Sequence, residues 1–160
     1  MTYQIHPIDG TEFAPLFEMS DDELAANGAR RVTADSKPGF PCRVSLQDAE
    51  IGDTVILTNY RHLDMNSPYA ASHAVYVRKG VAATAPVVQD VPDMLASRLI
   101  SVRAFDAEGM MKDADIMDGA DLDDALHRFF ADPQIDFVDM HFAKRGCFAA
   151  RATRLDDRKR

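Results

Sequence analysis

The sequence has no tryptophan and only two cysteines among its 160 residues, and it has no apolar run long enough to span a bilayer. Cys42 and Cys147 stand far apart with no Cys-x-x-Cys companion, which argues for reduced thiols rather than a structural bridge. Missing too are the glycine-rich phosphate loop, the Gly-x-Ser-x-Gly elbow and the His-Glu-x-x-His helix, so the enzyme classes built on those motifs lose support. Basic residues are scarce: 18 Lys and Arg face 26 Asp and Glu, for a formal net charge of −8. Such a chain repels a phosphate backbone, and nucleic acid is not an expected partner. The start, Met1-Thr2-Tyr3-Gln4-Ile5-His6-Pro7, lacks the basic and apolar regions of a signal peptide. The expectation is a soluble, cytoplasmic protein with no membrane partner.

What is present suits one globular domain over residues 1–160, because 46% hydrophobic and 28% charged residues are ordinary values for a folded chain of this length. Tyr3 to Ile8 reads as an opening strand, followed by a helical turn around Phe13, Leu16 and Phe17. Ser20 and Glu23 form a capping box for a short helix that Gly28 can end. Cys42 to Leu46 alternates, with Cys42, Val44 and Leu46 on the apolar side, and is expected to pair with a strand over Thr54 to Tyr60. His73 to Arg78 is a further strand, and Pro92 opens a short helix. Two runs, Ile100 to Phe105 and Met111 to Ile116, flank a glycine turn; the implied register sets Arg103 opposite Asp113. Asp121 to Ala131 places Leu122, Ala125, Leu126, Phe129 and Phe130 on one helical face. Hairpins outnumber strand–helix–strand alternation, so the fold class is α+β, a mainly antiparallel sheet built from hairpins with a few short helices.

The last hairpin carries the chemistry. A three-residue loop, Lys144-Arg145-Gly146, sets Ala143 against Cys147, and the register then puts Phe142 against Phe148, Met140 against Ala150 and Val138 against Ala152 on one apolar face. The other face then holds Asp139 opposite Arg151, with His141 and Cys147 beside them. Imidazole next to thiol, with a carboxylate to orient the ring, is the logic of nucleophilic catalysis, and the arginine suits an anion. His141, Cys147 and Asp139 are the candidate catalytic residues. The plain alternative is an ordinary sheet face with one cross-strand ion pair and a buried cysteine.

Cys42 and Cys147 with two of His62, His73 and His141 have the donor types of a zinc site, but no close-spaced ligand pair, so no metal is expected. The acidic stretch from Asp113 to Asp121 fails as a calcium loop, since Met117 occupies a ligand position. Arg43, Arg78, Arg98, Arg103 and Arg151 fall in or beside strands, where each has either an aspartate partner or a share in an anion pocket.

At Gly39-Phe40-Pro41-Cys42-Arg43, Asp48-Ala49, Ser67-Pro68-Tyr69 and His141-x-Ala143-x-x-Gly146-Cys147-Phe148, the chain resembles the bacterial family known as domain of unknown function 1203, almost end to end. The resemblance brings no catalytic residue with it, and cofactors are left open. It implies that the Cys42 segment and the Cys147 hairpin belong to one module. If they meet, Arg43 and Cys42 join Arg151 as ligand-binding residues around a small anionic molecule. The alternative is a structural or protein-interaction module in which these residues only stabilise the sheet. Oligomeric state is left open.

Overall fold

A computed structural model describes residues 2–81 and 84–155. In chain order the strands are β1 (Tyr3–His6), β2 (Arg30–Thr33), β3 (Pro41–Cys42), β4 (Gln47–Asp48), β5 (Thr54–Leu63), β6 (Ala71–Arg78), β7 (Val87–Val88), β8 (Leu99–Phe105), β9 (Met111–Asp118), β10 (Phe137–Phe142) and β11 (Phe148–Arg154). The α-helices are α1 (Asp21–Ala26), α2 (Asp93–Ala96) and α3 (Leu122–Phe130), and short 3-10 turns precede α1 and α3. The strands form a six-stranded sheet, β7-β1-β11-β10-β8-β9, and a five-stranded sheet, β2-β5-β6-β3-β4. Neighbours are antiparallel except β3 and β6, which run parallel. The α+β class read from the hairpins is therefore observed, with two sheets in place of one.

Helix α3 forms where its apolar residues repeat at helical spacing. Leu122, Ala125, Leu126, Phe129 and Phe130 are buried on one face, with Asp123 and Asp124 at the positive end of the helix and His127 and Arg128 in its last turn. That face packs on Ile100, Val102, Val138, Met140, Ala150 and Ala152 of the six-stranded sheet. The opposite face of this sheet looks toward the second one: Phe105 and Phe137 pack on Leu63, and Phe148 packs with Cys42, Val75 and Val77. Strand β10 is consequently buried along its whole length. Val138, Met140 and Phe142 face the helix, and Phe137, Asp139 and His141 are enclosed between the sheets, where the two polar residues each need a partner.

Three expectations change. The Cys42 strand is only two residues long, because Leu46 adopts a left-handed backbone (φ 56°) and turns the chain into β4. Cys42 is inward-facing as expected, but β6, not β5, is the neighbour of β3. In the β8–β9 hairpin an irregularity after Ala104 sets Arg103 opposite Ala114 and Asp113 opposite Ala104, so the expected Arg103–Asp113 pair does not form. In the last hairpin Val138↔Ala152, Asp139↔Arg151 and Met140↔Ala150 are paired as expected, but a bulge after Met140 sets His141 opposite Phe148. The Phe142 amide then donates to the Cys147 carbonyl, closing a four-residue loop, Ala143 to Gly146, in which Gly146 takes φ 79°. One extra residue thus moves Phe148 to the histidine face and Cys147 to the Phe142 end of the hairpin.

Phe142 remains a core residue. Its ring packs in the helix-side core, and the guanidinium carbons of Arg43 and Arg98 lie 4.9 and 5.1 Å from its centroid. Phe142→Ala is expected to cost about 3 kcal/mol as a large-to-small core change. Denaturant unfolding measures it, and an unchanged midpoint would remove this residue from the core.

Candidate functional site

The buried face of β10 presents Asp139 and His141 to the space between the sheets. Asp139 is fully buried. Arg151, its cross-strand neighbour, donates from Nε and Nη2 to the two carboxylate oxygens at 2.7 and 2.9 Å, and Nη2 also donates to the His62 carbonyl at 3.0 Å. This bidentate pair ties β10 and β11 to β5 of the other sheet. Burial alone would raise the Asp139 carboxyl, but the Arg151 hydrogen bonds and nearby positive charge outweigh it and hold the group below its ordinary range.

Against this pair stand three histidines from three strands. His62 on β5, His73 on β6 and His141 on β10 bring one ring nitrogen each to within 4.8 Å of one another. The His62 and His73 rings stack at 5.5 Å, and His141 meets them edge-on at 5.0 and 5.6 Å. Phe148 closes the cluster on one side, stacked on His62 at 4.8 Å. His62 and His141 are buried, and His73 is the more open member. Burial chiefly pushes the His141 imidazole down to about 4, and burial with the nearby His62 and Arg103 charges lowers His73 as well, so both rings are neutral donors at neutral pH.

The hydrogen bonding is incomplete in a specific way. His141 Nδ1 lies 2.9 Å from the Gly146 carbonyl, which requires the proton on Nδ1 and leaves the Nε2 lone pair free. That buried Nε2 has no partner, and neither ring nitrogen of His62 has one. His62 Nδ1 sits 3.7 Å from an Asp139 oxygen, too long for a hydrogen bond and close enough for electrostatic attraction. An imidazole fixed through one nitrogen by a carbonyl or carboxylate, with the other nitrogen bare, is the usual state of a metal-ligating histidine.

The residues expected from the sequence divide into two groups. Asp139, His141 and Arg151 are brought together at the histidine cluster. Cys147, expected beside His141, gives that place to Phe148 through the bulge, and with Cys42 it neighbours Arg43. Arg43 is fully buried and spans the two sheets, its Nε donating to the Phe148 carbonyl at 2.9 Å and Nη1 to the Pro41 carbonyl at 2.6 Å. The Cys42 segment and the last hairpin therefore do meet, through Arg43. Both cysteines are free, Cys42 buried and Cys147 partly so. Spacing along the chain argues against metal because His62, His73 and His141, although of the right donor type, have no close-spaced companion. The available signal is that each of the three histidines sits on or just beyond a run that reads as a strand.

Fold and site together define an α+β protein of two facing sheets with a histidine cluster and a buried Asp–Arg pair between them. The chain belongs to the family described as "Protein of unknown function (DUF1203)", whose model matches residues 39–154, a span that contains all the site residues named above. No curated protein and no solved structure matches the chain.

Arg151→Met leaves the Asp139 charge buried without its partner and is expected to cost about 3 kcal/mol at pH 7. The share of stability that comes from holding Asp139 below its ordinary value, near 3.9, is fully present above that pH and is lost as the pH falls through the lowered folded value. Unfolding curves of both proteins at pH 7 and pH 3 should therefore show a gap that narrows in acid; a gap of constant size would exclude the electrostatic origin.

Proposed function

We propose that the protein binds a divalent transition-metal ion at His62, His73 and His141. The observation that carries this is the set of three buried ring nitrogens without hydrogen-bond partners, on His62 and His141, within a cluster whose donor atoms converge. A purely structural role leaves those nitrogens as an uncompensated cost of about 1 to 3 kcal/mol each. As ligands, His141 Nε2 and one nitrogen of His62 are satisfied, while His62 Nδ1 faces the Asp139 carboxylate at 3.7 Å.

Imidazole donors suit zinc, copper, nickel and iron. In a tetrahedral site with metal–nitrogen bonds near 2.1 Å the donors stand about 3.4 Å apart, so the rings close on an ion by a modest inward rotation. Three ligands leave a coordination position open, the arrangement that polarises a bound water or a small ligand. Asp139 and the Gly146 carbonyl would orient the rings from outside, and Arg151 would hold Asp139 in place. This reading retains the small-molecule pocket on the last hairpin, now built from histidines in place of the thiol, and the two free cysteines fit a reducing cytoplasmic setting. No helix among the described residues is long and apolar enough to cross a membrane.

Equilibrium dialysis of tag-free protein against zinc or cobalt(II), followed by elemental analysis, should give one ion per chain. His73→Ala, at the most open of the three positions, should weaken binding by roughly 100-fold, since the loss of even an outer-shell partner costs about 10- to 100-fold. Cys42→Ser and Cys147→Ser should leave it unchanged. No stoichiometric metal, or binding indifferent to His73, would overturn the proposal.

A further inference from the structure

The arginine nearest the cluster that is left without an acid is Arg103. It pairs across the ladder with Asp139, and Ser101 pairs with His141, so Arg103 lies on the face of the sheet that carries the site. The irregularity after Ala104 takes Asp113 out of register with it. Among the described residues Arg103 has no carboxylate partner, and its one hydrogen bond is a long one, from Nε to Ser101 Oγ at 3.4 Å. Arg151 is different, its donors committed to Asp139 and the His62 carbonyl. Arg103 is half-buried, and its positive charge reaches both His73, the open corner of the cluster, and His141.

The charge of the metal-loaded site points the same way. Asp139 and Arg151 cancel as a pair. The three histidines are neutral ligands, so a bound dication keeps its full charge, and Arg103 adds one more. A site of that charge, partly shielded from water, favours an anion at the open coordination position. A guanidinium fork with free donors is the group that holds a planar or tetrahedral oxyanion from the other side.

We propose that the ligand of the histidine centre is a small oxyanion, a carboxylate or phosphate group, bound between the metal's open position and the guanidinium of Arg103. This rests on the metal reading and assigns the class of molecule that the site takes. Arg103 is then a specificity-determining residue: it contributes to anion affinity and not to metal affinity.

The test uses the full chain loaded with one cobalt(II) per chain, titrated separately with inorganic phosphate and with acetate and followed by the visible cobalt bands. At least one of the two should shift the bands saturably, and whichever binds more tightly identifies the headgroup. Arg103→Met should weaken that anion by about 10-fold or more with cobalt affinity unchanged, and Arg103→Lys, which keeps the charge without the fork, should fall between. Unchanged cobalt affinity also certifies that the variants fold. Cobalt binding with no saturable response to either anion, or with a response the same in Arg103→Met, would overturn this proposal and leave the metal reading intact. Failure to bind cobalt would overturn the metal reading and this proposal with it.

Discussion

The buried Asp139–Arg151 pair is the interaction on which the site depends. A carboxylate with no exposure to solvent is tolerated only when fully paired, and here both its oxygens accept from one guanidinium. The same guanidinium reaches the main chain of His62 in the other sheet. Two strands of one sheet and the end of β5 in the other are thereby fixed to one another at the point where the histidines converge. Without that pair, β10 would carry an unpaired charge between two sheets, and His62 would lose the anchor for its backbone.

A second polar strut parallels the first. Arg43 lies fully buried between the sheets and donates to carbonyls on both sides, while Phe142 covers its guanidinium and that of Arg98. The interface between the sheets is thus part apolar cluster, around Phe148, Val75 and Val77, and part fixed polar contact. Apolar packing supplies most of the burial energy. The polar contacts are directional, and they set the register in which one sheet lies on the other. The histidine cluster occupies the polar part, which is why its nitrogens are buried and yet not paired away.

How far the sequence is informative depends on whether a feature follows a period. The α3 face, the α1 capping box and the Val138 to Met140 register are legible because helical and strand periods and cap chemistry are local. The tip of the last hairpin is not, since a single bulged residue exchanges the faces of Phe148 and Cys147 and leaves no trace in the alternation of apolar and polar residues. The Arg103–Asp113 pairing fails for the same reason. His62 lies beyond the Tyr60 limit read for its strand, within the irregularity between Tyr60 and Leu63. Asp139, His141 and Arg151 are identifiable from one hairpin; His62 and His73 join them only through the facing of two sheets, a long-range relation that spacing along the chain does not encode.

The most direct test of the metal centre is diffraction from a zinc-loaded crystal measured on both sides of the zinc absorption edge. The account predicts one strong anomalous peak bounded by His62, His73 and His141, with the His141 Nε2 atom as a ligand and its Nδ1 still on the Gly146 carbonyl. Zinc bound only at surface carboxylates, or at Cys147, with the three imidazoles left as they are here, would contradict it.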